Sequence, residues 1–443
     1  MFPRLNKHLE RFCRWSFMAF IVTLPFQSNL LIYQADWGRG FLNPYLSIAL
    51  TLPEVFLLSA GAFFAIAHHK KRWKWGDSTF LKVGAFLLLA LLASLVTTPF
   101  QDTELHLFMG IKAMEAIVLY ILTTNGVLRQ NKILKFFIGI MTLEALLGLL
   151  QVLSQSSWGL GFLGEPSLTP DTAHLAKISW GSFTWIRAYG TFPHPNILGG
   201  FLVVSLLATF LYNPTRRHER EILLALQFAG LIATCSRSAL LALSCSLVLL
   251  CFWYANKLKK ENKAVLGTLT GIFLIEMILL FWSRGTFPWN DPALLSRWSG
   301  YKEAFALFQQ YPLGVGWNHY TLFLDQSTAM ALQPWDYQPV HNVYLLALAE
   351  TGLLGFVVAL VAIVLVIKKM FLLHKTLSTP ELAFKKRVFT LIGLSVVIIG
   401  LFDHYWMSLE QGRLLLVLLW GMFAHFVSDP LHVFPVRRGG RHL

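Results

Sequence analysis

Apolar runs of about twenty residues recur along this chain, and they limit its architecture before any motif is read. Leu81 to Val96 carries one charge, Lys82, and Gly352 to Ile367 carries none. A helix rises about 1.5 Å per residue, so such runs match the ~30 Å hydrocarbon core of a bilayer. In lipid the backbone must satisfy its own hydrogen bonds, and runs that lack strict alternation do so as helices. Only 14% of the residues are charged, against roughly 25% in soluble domains, which excludes a water-soluble fold. Hydropathy places spans near 15–34, 43–67, 80–98, 105–123, 133–153, 195–212, 221–235, 238–254, 264–282, 341–367, 387–405 and 412–427. The expected fold class is all-α: a polytopic membrane protein with about twelve transmembrane helices. The run from 221 to 254 counts as two, because one helix of that length would overshoot the core. A hairpin turning at Arg237, within Cys235 to Ser238, is expected there.

Charge orients these spans. A formal net charge of +14 would suggest nucleic acid in a soluble protein, but here the basic residues fall in alternate connections. These are His68–Lys74, Arg129–Lys135, Thr215–Arg220, Lys257–Lys263, Lys368–Lys369 and Lys385–Arg387. Short loops rich in Lys and Arg face the cytoplasm. Both terminal stretches are basic as well, so an even span count with both termini inside accounts for the excess, and no nucleic-acid partner is called for. The basic stretch Arg4 to Arg14 leads into an apolar run without a small-residue cleavage site and is expected to be a retained first span. Cys13, Cys235, Cys245 and Cys251 form no CxxC pair and lie in or beside apolar segments; they read as inert thiols rather than a disulfide framework or zinc site.

The topology divides the chain into N-terminal helices (1–153), a first outer loop (154–194), central helices (195–282), a large outer loop (283–340) and C-terminal helices (341–443). Function is to be sought in the two long outer connections. In the first, residues 178–192 are aromatic and β-branched around a Trp180-Gly181-Ser182 turn, which predicts a short hairpin. In the second, Asp291-Pro292 is an N-cap with a first-position proline. Leu294, Trp298, Tyr301, Phe305 and Phe308 follow at helical spacing. An amphipathic helix lying on the membrane surface and stopped by Pro312 and Gly314 is expected.

The spans starting near Pro195, Ser238 and His341 all enter from the outer face, so their N-terminal ends, which attract anions, point outward. Arg187 lies before the first of these ends and Arg237 directly before the second; His341 begins the third, and Arg297 sits on the facing surface helix. The other cations on that face are Arg39, Lys177, Arg284 and Lys302. A guanidinium suits two-point phosphate binding, so a phosphate or pyrophosphate is the indicated ligand. Any one interfacial arginine is as readily a snorkelling side chain; three arginines, a histidine and three helix ends together are harder to explain that way. His341, with an intrinsic pKa near ~6.5 lowered by its helix end, would be neutral and able to act as a general base. A hydrogen-bonded structural histidine is the competing reading.

His341-Asn342, nine residues, then Gly352 and Gly355 resembles the H-[NSQ]-x9-G-x-x-G signature of bacterial O-antigen ligases, and Arg237 with Leu241 resembles their R-x3-L. The stretches 187–202 and 296–320 are similar to the remaining motifs of the O-antigen ligase and polymerase superfamily, so the likeness covers most of 180–360. The resemblance implies a GT-C-like, metal-independent, inverting glycosyltransferase of the bacterial inner membrane with two long periplasmic loops. It would move a glycan from undecaprenyl pyrophosphate to an acceptor hydroxyl, lipid A–core for a ligase, and needs no cofactor. Under it, His341 is the catalytic base and Arg187, Arg237 and Arg297 hold the donor pyrophosphate. Asn342, His194, Asn196, Tyr301 and Trp317 are supporting candidates, Asn342 either orienting the histidine or capping its helix. Polymerase and protein-glycosylating relatives share these motifs, and a twelve-span flippase is the rival of another class.

The remaining polar residues carry plainer readings. Glu54, Glu115, Glu144, Glu276 and Glu350 fall within expected spans, where ionisable groups are costly and often functional. Lys112 and Glu115 are expected to pair, and Glu350, two turns below His341, to be structural. Trp298 and Trp317 are candidates to stack on sugar. Asp325 and Asp336 could serve as acids or ligands, but no metal-ligand spacing accompanies them.

Overall fold

The computed structural model describes residues 2–33, 45–99, 102–172, 175–180, 183–212, 218–254, 271, 292–327, 337–372 and 379–430. Its helices are α1 (Phe2–Thr23), α2 (Leu52–His68), α3 (Ser78–Thr97), α4 (Thr103–Thr124), α5 (Gln130–Ser154), α6 (Pro195–Thr209), α7 (Glu219–Thr234), α8 (Arg237–Tyr254), α9 (Pro292–Gln310), α10 (Tyr320–Ser327), α11 (Val343–Leu372), α12 (Pro380–Gly400), α13 (Tyr405–Ser408) and α14 (Glu410–Ser428). Among the described residues, α3, α4, α5, α11 and α14 are long and apolar enough to cross a membrane, and α2, α6 and α8 are apolar but shorter. The expected span at 264–282 lies outside the described residues, apart from residue 271.

All fifteen residues of α6 are buried, and α5, α7, α8 and α12 pack around it. A helix apolar on every side has no face for water and becomes the centre of a bundle. At about 1.5 Å per residue it is ~22 Å long. The first turns of α6, α8 and α11 and the segment that follows α12 meet at one end of the bundle. At the other end, Lys71 pairs with Glu10 at 3.0 Å and Lys369, in the last turn of α11, with Asp77 at 2.7 Å.

The first two expected spans are too long. The α1 helix stops at Thr23, ahead of Pro25, which cannot donate to a helix. Residues Asn29–Tyr33 then form β1, antiparallel to β2 (Ile48–Thr51), before α2 begins. Hydropathy ran the strand residues Leu30 to Tyr33 into the span because they are apolar, yet every residue of β1 is exposed. The α2 start has its own cap: Thr51 and Glu54 form a capping box, with Pro53 between them in the first turn. Two other expectations hold. The run at 221–254 turns where Cys235 adopts a left-handed φ of 46°, so α7 and α8 are a hairpin. The first long connection contains β3 (Lys177–Trp180) and β4 (Phe183–Ile186), paired from Lys177 with Ile186 to Trp180 with Phe183.

The α9 helix also forms where the Asp291-Pro292 signal placed it. It packs through Ala304 and Leu307, which are buried, while Trp298 and Phe305 on the expected apolar stripe are about half exposed. That exposed stripe is what a helix lying in an apolar–polar interface presents.

The first motif glycine breaks α11. Gly352 has φ 65° and ψ −171°, outside the helical region, which a residue with a Cβ rarely adopts. The break frees backbone groups that the 312–316 loop takes up. Leu353 N donates to Pro312 O at 3.1 Å, Val315 N to Ala349 O at 3.0 Å, and Gly316 N to Glu350 O at 2.9 Å. A Cβ on Gly314 would run into Glu350 O and Gly352 N, and one on Gly352 into the Pro312–Leu313 backbone.

Candidate active site

The loop before α6 is fixed from beneath by α5. Gln151 Oε1 accepts from Tyr189 N and Gly190 N at 3.1 and 2.8 Å, and its amide donates to Gly190 O at 2.9 Å. Glu144 accepts from Thr191 N and Thr191 Oγ1 at 2.8 and 2.9 Å. This glutamate within a span therefore anchors backbone. So does Glu350, which accepts from Tyr320 N at 3.3 Å, in line with its expected structural role.

The rigid loop delivers Arg187, 7% exposed, onto two helix ends. Its Nε donates to Thr234 O at the end of α7 (2.6 Å) and its Nη2 to Asn196 Oδ1 in the first turn of α6 (2.8 Å). Asn196 Nδ2 in turn donates to Asp403 Oδ2 at 3.2 Å, and Ser238 Oγ, one residue after Arg237, donates to the same oxygen at 3.3 Å. One buried carboxylate thus ties the starts of α6 and α8 together. Arg237 opens α8 at this junction, and His194 caps α6 through its Nδ1, which accepts from Asn196 N at 3.1 Å.

His341 stands two residues ahead of α11. Asn342 is the cap: its Oδ1 accepts from Tyr344 N and Leu345 N at 2.9 and 3.0 Å, and its Nδ2 reaches Leu401 O at 3.1 Å. Tyr301 Oη, from α9, bridges His341 O and Leu401 O, each at 3.4 Å. The His341 ring meets the His404 ring edge to face, with centroids 4.9 Å apart. Tyr45 touches the His404 ring, centroids 5.8 Å apart.

Burial and the neighbouring Arg297 guanidinium lower the His341 pKa to about 4. Burial and then Arg187 push His194 well below the usual histidine range. Both imidazoles are neutral near pH 7. Desolvation, more than the helix end expected to act on it, is the main cause for His341. Burial raises Asp403 to about 6, against the pull of Arg297, Ser238, Asn196 and Arg187. Among the described residues around this centre the positive groups outnumber the one carboxylate, so an anionic ligand is favoured, with a neutral imidazole beside it able to take a proton.

Of the residues singled out from the sequence, the structure brings Arg187, His194, Asn196, Arg297 and His341 into one electrostatic cluster, with Arg237, Asn342 and Tyr301 at its edges. Trp317 is elsewhere. It is 4% exposed and packs among Leu46, Leu95, Leu105, Met109 and Leu322, which leaves no open face for a sugar. Trp298 is 59% exposed on α9. Asp336 and Glu276 lie outside the described residues, as do the side chain of Asp325 and the cations Arg39 and Arg284.

Sequence reading missed Asp403 and His404. Hydropathy placed them inside a span at 387–405, whereas α12 ends at Gly400 and both follow it. The signal was present: an acid and a histidine side by side in an otherwise apolar stretch mark a site by default. Among the described residues one group of carboxylates is close enough to share an ion, Glu54, Glu115 and Glu410, with ligand atoms within 4.8 Å of one another. It is already filled. The Lys112 ammonium pairs with Glu54 and lies 3.3 Å from Glu115 and 3.7 Å from Glu410, so it stands where a metal would. The expected Lys112–Glu115 pair is part of this larger cluster.

Fold and site together define a helical, membrane-embedded protein with a cationic, histidine-bearing cluster at the joined ends of its central helices. Residues 222–360 match the family model described as O-antigen ligase, which supports a place in the O-antigen ligase superfamily. The matched segment runs from α7 to the middle of α11, so it contains Arg237, Arg297, His341 and Gly352. No curated protein matches the sequence.

Proposed function

We propose that this protein is a glycosyltransferase of the ligase type. It transfers a glycan from undecaprenyl pyrophosphate to an acceptor hydroxyl, lipid A–core, at the periplasmic face of the bacterial inner membrane. The supporting observation is a neutral, desolvated His341 beside Arg297, at helix ends that Asp403 and Asn196 join to Arg187.

The proton of the acceptor hydroxyl passes to His341 as its oxygen bonds to the anomeric carbon. The carbon–oxygen bond to phosphate breaks, and its electron pair leaves with the pyrophosphate. Arg187, Arg237 and Arg297 meet the growing charge on that leaving group. Attack from the opposite side inverts the anomeric centre. No nucleotide, metal or other cofactor enters these steps. Membrane lipids surround the exposed faces of α3 and α11, and the basic end of the bundle lies in the cytoplasm with both termini.

The test is reconstitution in lipid with a lipid-linked glycan and separate acceptors: lipid A–core, a second lipid-linked repeat, and a hydroxyl-bearing peptide. Transfer to lipid A–core with inversion is expected. Transfer only to the second repeat would make the protein a polymerase, transfer only to the peptide a protein glycosyltransferase, and movement of donor across the bilayer without transfer a flippase. His341→Ala should bind donor near normally while turnover falls by about 10²–10⁴-fold. The three Arg→Ala variants should lose donor affinity and turnover together, with Lys a partial rescue because it keeps charge but not the two-point fork. A His341→Ala protein that turns over at the parental rate would remove the base assignment.

A further inference from the structure

Beside His341 and His194 the site holds a third imidazole, His404, anchored by a neighbour. Ser408 Oγ donates to His404 O at 3.1 Å, the usual bond back to the preceding helical turn. The same hydroxyl lies 2.6 Å from His404 Nδ1 and anchors the ring through that nitrogen. The ring is 5% exposed and cannot swing out, because α13 holds it from one side and Tyr45 from another.

We propose that His404 is a positioning residue for His341: anchored through Nδ1 by Ser408, it stands edge to face against the His341 ring, fixes the plane of that imidazole and closes one side of it to water. The catalytic consequence rests on His341 being the base proposed above; the contact itself does not.

The groups that face His341 come from three directions. Arg297 on α9 carries charge, His194 ahead of α6 is neutral, and the segment after α12 supplies His404, with Asp403 behind it hydrogen-bonded to Asn196 and Ser238. Arg297 remains whatever stands at 404. Removing the 404 ring therefore changes chiefly the water that reaches His341. Easier solvation of the imidazolium raises its pKa toward the ordinary value near ~6.5. A phenyl ring at 404 would exclude water as the imidazole does, while losing the Ser408 bond.

The experiment uses the full chain in lipid nanodiscs with isotope-labelled histidine, the His341 resonances being assigned by their loss in His341→Gln. Folding of each variant is checked by its monodispersity and melting curve. In the parent, His341 should titrate near 4. In His404→Ala it should titrate about one to two units higher, and the acid limb of kcat/KM should move by the same amount. Turnover at the pH optimum should fall about tenfold with donor KM little changed, because a base held in one plane is lost while the donor contacts stay. His404→Phe should keep the low titration point, and Ser408→Ala should fall between. An unmoved His341 titration in His404→Ala, or identical shifts for the Ala and Phe variants, would overturn the proposal. A moved titration with an unmoved kinetic limb would instead remove His341 as the base and leave the contact standing.

Discussion

Replacing Asp403 by alanine and by asparagine should have opposite consequences. Asp403 is 4% exposed and one of its oxygens accepts from both Asn196 Nδ2 and Ser238 Oγ. Alanine leaves the Asn196 amide buried without that acceptor, at about 1–3 kcal/mol, while Ser238 Oγ keeps Ser236 Oγ as a partner at 3.3 Å. Unfolding entropy grows with chain length, so for a chain of this size about 1–2 °C of melting temperature accompanies each kcal/mol, and a fall of ~1–6 °C is expected. Asn196 also receives Arg187 Nη2, so the alanine variant should misplace the guanidinium and raise donor KM. Asparagine keeps the shape and one acceptor oxygen. It should melt within a few degrees of the parent, and because it removes the only buried negative charge described among these cations, donor KM should stay level or fall. Melting curves in detergent and initial rates against donor concentration read both effects. Equal melting temperatures for the two variants, or a raised donor KM in the asparagine variant alone, would refute the view that this carboxylate organises the helix ends.

Gly352→Ala should cost about 1–2 kcal/mol for the left-handed backbone and about 1–3 kcal/mol more for pressing a methyl into the Pro312–Leu313 backbone, read as a lowered melting temperature. Lys112→Met should destabilise by about 3–5 kcal/mol, because Glu54 and Glu115 lose their buried cation; a parental melting temperature would contradict the central place given to that ammonium. The acid limb of kcat/KM should fall near 4, where His341 becomes protonated and loses its lone pair, and that limb should remain in Asp403→Asn. Turnover should survive a chelator, and loss restored by magnesium or manganese would reveal a metal site.

What the sequence made legible follows from which physical signals are local. The turn at Arg237, the proline-capped start of α9 and the hairpin at 177–186 each rest on a few adjacent residues, and each is present. The histidine signature likewise pointed to the head of a helix. Two things were hidden. An apolar strand and an apolar helix look the same to hydropathy when the strand is short, which is why β1 was absorbed into a span. Asp403 and His404 were hidden by the averaging that finds spans, since two polar residues barely lower the mean of a long apolar window. Their role depends on partners at 196, 238 and 341, which only the folded chain brings near. Trp317 shows the reverse: it sits in a motif-like stretch, yet its indole fills the protein's own interior.

The break at Gly352 also turns the nine residues between Asn342 and that glycine into an angular setting. Nine helical residues make about two and a half turns and ~13.5 Å of rise. The upper end of the segment carries His341, and the lower end is clamped to the 312–316 loop by backbone bonds at Ala349, Glu350 and Leu353. Because the clamp cannot rotate, one inserted residue would swing His341 about 100° around the helix axis, away from Arg297 and His404, whereas four would restore its bearing to within about 40° and lift it by ~6 Å. A substitution within the spacer therefore leaves that bearing unchanged while a change of its length does not, and Gly352 acts as the zero mark from which the histidine's direction is measured.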